Sequence, residues 1–135
     1  MNSKFLIAWA AYLVVTFALG YVWHLALFKK TYQALGIFSR IDDPVIPLGL
    51  GAMLIQGAIL AYIYPMFPQG GSLLAEGLKF GLVLGAFIAS SAVFAEAAKQ
   101  KVASLPTWLA LESAYYVIQF ACAGIAIALV YGKKI

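Results

Sequence analysis

The groups able to do chemistry in this chain sit inside long apolar runs and recur at helical spacing. Glu112, Tyr115, Tyr116, Gln119 and Cys122 recur at helical spacings of three, four and seven. On a helix they form one band. Hydrocarbon solvates a carboxyl or an amide poorly, so this band is expected to face protein or water, with Gln56 as a further polar group on another run. A path along Glu112, Tyr116 and Gln119 is the kind of lining a small transporter or channel needs. His24, Glu96 and Glu112 all fall near the ends of their runs. If they converge, one imidazole and two carboxyls can hold a divalent cation or pass a proton, because imidazole exchanges its proton near neutral pH. The competing reading is that each finds its own partner: His24 a carbonyl or water, and the glutamates Lys99 or Lys101. The spacing matches no named metal motif. No cofactor is therefore assigned beyond a possible divalent metal, and a quinone is the other ligand such a cluster suggests.

The elements that position these groups follow from composition. Of 135 residues, 64% are hydrophobic and 10% charged, with mean hydropathy +0.95. Soluble domains carry about a quarter charged residues, so hydrocarbon must be the solvent for most of these side chains. A helix needs about 20 mostly apolar residues to cross a bilayer, and the runs 5–28, 46–67, 73–97 and 107–132 each qualify. Backbone groups in lipid have to be paired within the segment, which makes each run a helix. Short connections make neighbours antiparallel. The expectation is one all-α domain over 1–135, a four-helix transmembrane bundle running up-down-up-down with both termini on one side. The first run is longer than a signal-peptide core and ends in Trp23, His24 and Phe28, so it reads as a retained membrane helix.

The net charge of +4 comes from Lys and Arg at the ends of the runs. That is the pattern of membrane flanks and not of a nucleic-acid groove. Lys29, Lys30, Arg40, Lys99 and Lys101 outweigh Lys4, Lys133 and Lys134, which favours a cytoplasmic place for connections 29–45 and 98–106. Within the first connection, Thr31–Leu35 reads as an interfacial helix stopped at Gly36, and Asp42-Asp43-Pro44 as a turn or cap. Trp108 is placed as an interface anchor. Cys122 is a small packing residue, and as the single cysteine it excludes an internal disulfide.

Packing signals are sharper. Gly77, Gly81, Gly85 and Ala89 recur every four residues, a small-residue strip that lets another helix come close. Sequence leaves open whether that helix belongs to the same chain or to a second copy. Glu76 and Lys79, three apart, are expected to form an ion pair. Ile55-Gln56 and Ile118-Gln119 echo each other faintly, as a duplicated hairpin would.

The segment Gly20-Tyr21-Val22-Trp23-His24, followed by Phe28-Lys29, Tyr32 and Leu35-Gly36, resembles the first helix of small bacterial tetraspan proteins in a family of unknown function, and Gln56-Gly57 fits the same pattern. The resemblance covers about a third of the chain. It implies four helices and a bacterial inner membrane, and carries no activity.

No nucleophile–base pair, phosphate loop, haem-attachment motif or HExxH is present in the sequence. The leading expectation is a non-enzymatic polytopic membrane protein that self-associates or joins a larger complex. A small transporter or channel is second, and a metal- or quinone-binding protein using His24, Glu96 and Glu112 third.

Overall fold

The computed structural model describes residues 2–68 and 70–132; Lys133 and Lys134 lie outside the described residues. Four helical spans, Ser3–Leu27, Ile46–Met66, Leu73–Lys99 and Leu105–Gly132, are long and apolar enough to cross a membrane. They form an all-α four-helix bundle, and no strand occurs among the described residues. Lys4 Nζ donates to the Tyr131 carbonyl at 2.9 Å, which brings the two chain ends together on one side.

Both expected ends of each span agree with the structure to within a few residues, but two spans are not uniform. The first is α-helical over Ser3–Gly20 and then π-helical over Tyr21–Leu27. The third is α-helical over Leu73–Ala89 and π-helical over Ser90–Ala95 before a last α turn, Glu96–Lys99. Apolar periodicity does not register one extra residue in a single turn, so the sequence reads straight through both.

The helices pack in the order second, first, fourth, third. The third and fourth are closest because glycine removes the side chains between them. A Cβ on Gly81 would sit 2.0 Å from the Phe120 carbonyl oxygen, and one on Gly124 would sit 2.2 Å from that of Gly77. Gly85 abuts the Phe120 ring, while Ala89 packs beside the buried Trp108 and Val93. The small-residue strip is therefore used within the chain. Gly57 serves the second and first spans likewise, lying under the Tyr12 and Trp9 rings. Trp9 Nε1 adds a hydrogen bond to the Leu54 carbonyl at 2.9 Å.

One expectation is corrected here. The Glu76 carboxylate does not pair with Lys79. It accepts the Gly71 N–H at 2.9 Å, tying the turn before the third span to its first helical residues. No ion pair involves Lys79 among the described residues. Asp42-Asp43-Pro44 takes the turn form expected of it, with the Asp43 N–H on the Arg40 carbonyl at 3.1 Å; Asp42 receives Gln33 Nε2 at 2.6 Å and faces Lys29 Nζ at 3.7 Å, fastening the first connection to its own short helix.

The first half of the second span is different again. Leu48 is 73% exposed, and a Cβ on Gly49 or Gly51 would meet nothing within 4 Å. This half stands off from the bundle, whereas Gly57, Leu60 and Ala61 are buried in it. Substitutions should separate the two regimes. Gly81→Ala should lower stability by at least about 1–3 kcal/mol through overpacking. Gly49→Ala should be neutral or stabilising by about 0.5–1 kcal/mol, because it gains helix propensity in open space. Unfolding of both variants in detergent micelles, followed by circular dichroism, measures the contrast.

Candidate functional site

His24 is aimed by the π-helical end of the first span. A π turn carries an extra residue and redirects the side chains around it. The Phe28 N–H reaches five residues back to the Trp23 carbonyl at 3.0 Å. His24 Nδ1 lies 3.1 Å from the Gly20 carbonyl oxygen. A carbonyl only accepts, so Nδ1 carries the hydrogen. Nε2 then faces the Glu112 carboxyl, 3.0 Å from Oε1 and 3.2 Å from Oε2. One proton must lie across this contact, on the ring or on the carboxyl, or two lone pairs would oppose each other. Glu112 is only 2% exposed and about 10 Å from the start of the fourth span at 1.5 Å per residue.

The third member of the cluster is Tyr32, which sequence reasoning missed. It sits on the short helix Lys29–Leu35, closed by Gly36 in the left-handed conformation at φ 75°. Its hydroxyl donates to Glu112 Oε2 at 2.5 Å and accepts from Trp23 Nε1 at 2.8 Å. The signal was present as Tyr32 and Leu35, three apart and so on one helix face; both are buried. That helix does not float in the interface but folds down on Val93 and Trp108. Trp108, placed by the sequence at the headgroup level, is fully buried, with Nε1 donating to the Val93 carbonyl at 3.0 Å. The Ala103 N–H donates to the Leu35 carbonyl at 2.9 Å and joins the first and third connections. Phe38 closes the shell, 5.7 Å from His24 and 5.4 Å from Trp108 between ring centroids.

Glu96 does not complete the expected trio. It faces Lys99 Nζ at 3.6 Å, half-exposed at the end of the third span. That span packs chiefly on the fourth; Glu96 borders the same cavity as His24 and Glu112 but pairs with Lys99 and not with either of them. No group of three His, Cys, Asp or Glu able to hold a metal forms among the described residues. Cys122 also leaves the expected band and is exposed. It follows Gln119 by three residues, about 60° round a helix of 3.6 residues per turn. The buried face there has turned the other way, through Phe120, Ala123 and Gly124.

Below the cluster lies a cavity of about 840 Å³ between the first, second and fourth spans. Its mouth carries Arg40, Glu96 and Gln100, and its depth carries Tyr115, Tyr116, Gln119 and Gln56. The Gln56 oxygen accepts the Tyr12 hydroxyl at 2.8 Å, leaving the amide N–H groups for the cavity. Its lining ends at Gln56 and Gln119, and the buried core of Tyr12, Leu60, Ala61, Phe120 and Ala123 continues the bundle beyond them. Gln56 is about 15 Å from the start of its span, so the cavity ends near the bilayer middle as a blind vestibule.

Burial, and then the adjacent Glu112 carboxylate, push the Tyr32 hydroxyl well above the ordinary tyrosine range. A folded-state pKa raised above the unfolded value gives stability that is complete below about pH 10 and lost as pH rises beyond it. Alkaline unfolding of the wild type should therefore steepen above about pH 10, and Tyr32→Phe should flatten that limb. The variant should also start about 1.5–3 kcal/mol less stable at pH 7, having lost a bond to a charged group. A pH series of denaturation curves in micelles reads both effects.

Comparison with protein-family models, with curated proteins and with solved structures finds no match to this chain.

Proposed function

We propose that this is a non-enzymatic small transporter that holds its ligand in the blind vestibule. One observation carries the reading: a cavity of about 840 Å³, within the size range of small-molecule pockets, reaches mid-membrane and is lined by Glu112, Tyr116, Gln119 and Gln56. Carriers hold substrate near the bilayer midplane, at a site open to one side at a time. The vestibule opens on the side of connections 29–45 and 98–106, and its blind end argues for a carrier over a pore. The His24–Glu112–Tyr32 cluster forms a fixed wall, since its hydrogen-bonding groups are used on one another. Self-association has no comparable support, because the glycine strip that favoured it is occupied by the fourth span. The charge bias of the connections and the tetraspan resemblance support a bacterial inner membrane with the vestibule facing the cytoplasm.

Single cysteines in a Cys122→Ser background test the reading in liposomes. Met53→Cys, on the vestibule wall, should react with a membrane-impermeant maleimide added on the side of the connections. Leu60→Cys, in the core beyond, should not. Equal rates at the two positions would contradict a one-sided vestibule. A steady ionic current in planar bilayers, lost on Gln119→Leu, would replace the carrier by a pore.

A further inference from the structure

Resting on the vestibule reading, we infer that the occupant is a lipid-like molecule with a neutral, ring-shaped, hydrogen-bonding head, of the quinone or phenol class, whose apolar tail leaves sideways between the first and second spans.

The head follows from what the deep wall offers. Its one acid and its one imidazole neutralise each other: Nε2 of His24 and the Glu112 carboxyl share a proton, and the remaining contacts of the pair go to Gly20 and Tyr32. No net charge is left below the mouth to balance an ionic head, and burying an uncompensated ion is costly. Uncharged donors and acceptors remain. The Gln56 N–H groups turn to the cavity. Gln119, 5% exposed, lines the same wall with its amide also in reach of the Tyr12 hydroxyl. Tyr115, 6% exposed, and Tyr116 border the cavity too, and neither hydroxyl bonds to another described residue. No buried side-chain polar atom among the described residues lacks a partner, so these groups face the cavity with bonding capacity to spare, which a small polar head could use. The walls are also aromatic. His24 and Tyr115 meet edge to face at 4.3 Å, Tyr115 and Tyr116 at 5.3 Å, and such faces accept a flat ring.

The tail follows from the gap. Phe17, Tyr21 and Leu25 on one side and Leu48, Gly49 and Ala52 on the other border the cavity. Phe17, Tyr21 and Leu48 are among the exposed large hydrophobic residues. Because the first half of the second span stands off the bundle, this slot faces the hydrocarbon. A chain lying in it exchanges lipid contacts for protein contacts of the same polarity, while the head enters the polar wall at mid-depth. Arg40 stays at the mouth, exposed, and is not part of the head site.

Three ten-carbon probes discriminate the classes in detergent-purified protein: decylubiquinone, decanol and decanoate. Decylubiquinone should bind saturably and raise the melting temperature, while decanol and decanoate leave it unchanged. Tyr116→Phe and Gln119→Leu should each weaken decylubiquinone binding about tenfold, and Arg40→Gln should leave it unaltered. The milder Tyr116→Phe keeps the test informative if Gln119→Leu does not fold. Decanol binding as tightly as decylubiquinone overturns the ring-head inference. So does decanoate binding that is lost on Arg40→Gln, which assigns an anionic head instead. If no probe binds while Met53→Cys still reacts with maleimide, the head class is wrong and the vestibule stands. If Met53→Cys is also unreactive, the vestibule reading fails with it.

Discussion

A carboxyl about 10 Å inside an apolar helix must be met by hydrogen-bonding groups from the rest of the protein, because lipid supplies none. Glu112 is that carboxyl, and much of one end of the molecule is arranged around it. Its two oxygens require partners from two directions. One direction is met by His24 across a shared proton; an undistorted α-helix would carry this ring elsewhere, and the π-helical stretch Tyr21–Leu27 delivers it. The other is met by Tyr32, which requires the first connection to turn back over the bundle. Once Tyr32 is down, Leu35, Phe38 and Trp108 bury one another around it. The bond from Ala103 to Leu35 then ties the third connection into the same cap. Removing one partner from such a pair leaves the other buried without compensation, a loss of about 3–5 kcal/mol in soluble proteins.

A second constraint sets the shape of what lies below. Glycines bring the third and fourth spans into backbone contact, and Tyr12 and Phe120 hold the first against the fourth. The second span is anchored from Leu54 onward, through the bond from Trp9 to the Leu54 carbonyl, Gly57, Leu60 and the bond from Tyr131 to the Ala61 carbonyl. Its earlier half, following Pro44 and bearing Gly49 and Gly51, has no such contacts. The first, third and fourth spans thus form a fixed body, and the early half of the second stands loose beside it. A cavity with a lateral slot results from that asymmetry, and a symmetrical bundle would have filled the space with side chains.

The large features were legible in the sequence for a physical reason. Four runs of apolar residues admit only helices in hydrocarbon, and short connections admit only antiparallel neighbours. The glycine strip also announced a close crossing, and Glu112, Tyr115 and Gln119 announced a protected polar face. Details set by a single residue were not legible. The π turns add one position without disturbing composition, so the redirection of His24 leaves no periodic trace. Tyr32 looked like an interfacial residue because its neighbours Lys29 and Lys30 are charged, and its partner lies 80 positions away. Cys122 was assigned to the polar band by extrapolating a spacing across a helix whose buried face rotates. Glu96 and Glu112 sit near the same level on spans that touch, but level alone does not say which way a side chain turns: Glu112 faces His24 and Glu96 faces Lys99.

The coupling between His24 and Glu112 tests the central claim most directly. A double-mutant cycle with His24→Leu and Glu112→Leu, read by unfolding in micelles, isolates it. If the two side chains stabilise the cap as one proton-sharing unit, the double variant should be more stable than the sum of the singles implies, by about 0.5–3 kcal/mol. Single-variant losses that add to within about 0.3–0.5 kcal/mol would show that the two residues act independently, and the organising role given to Glu112 would be contradicted.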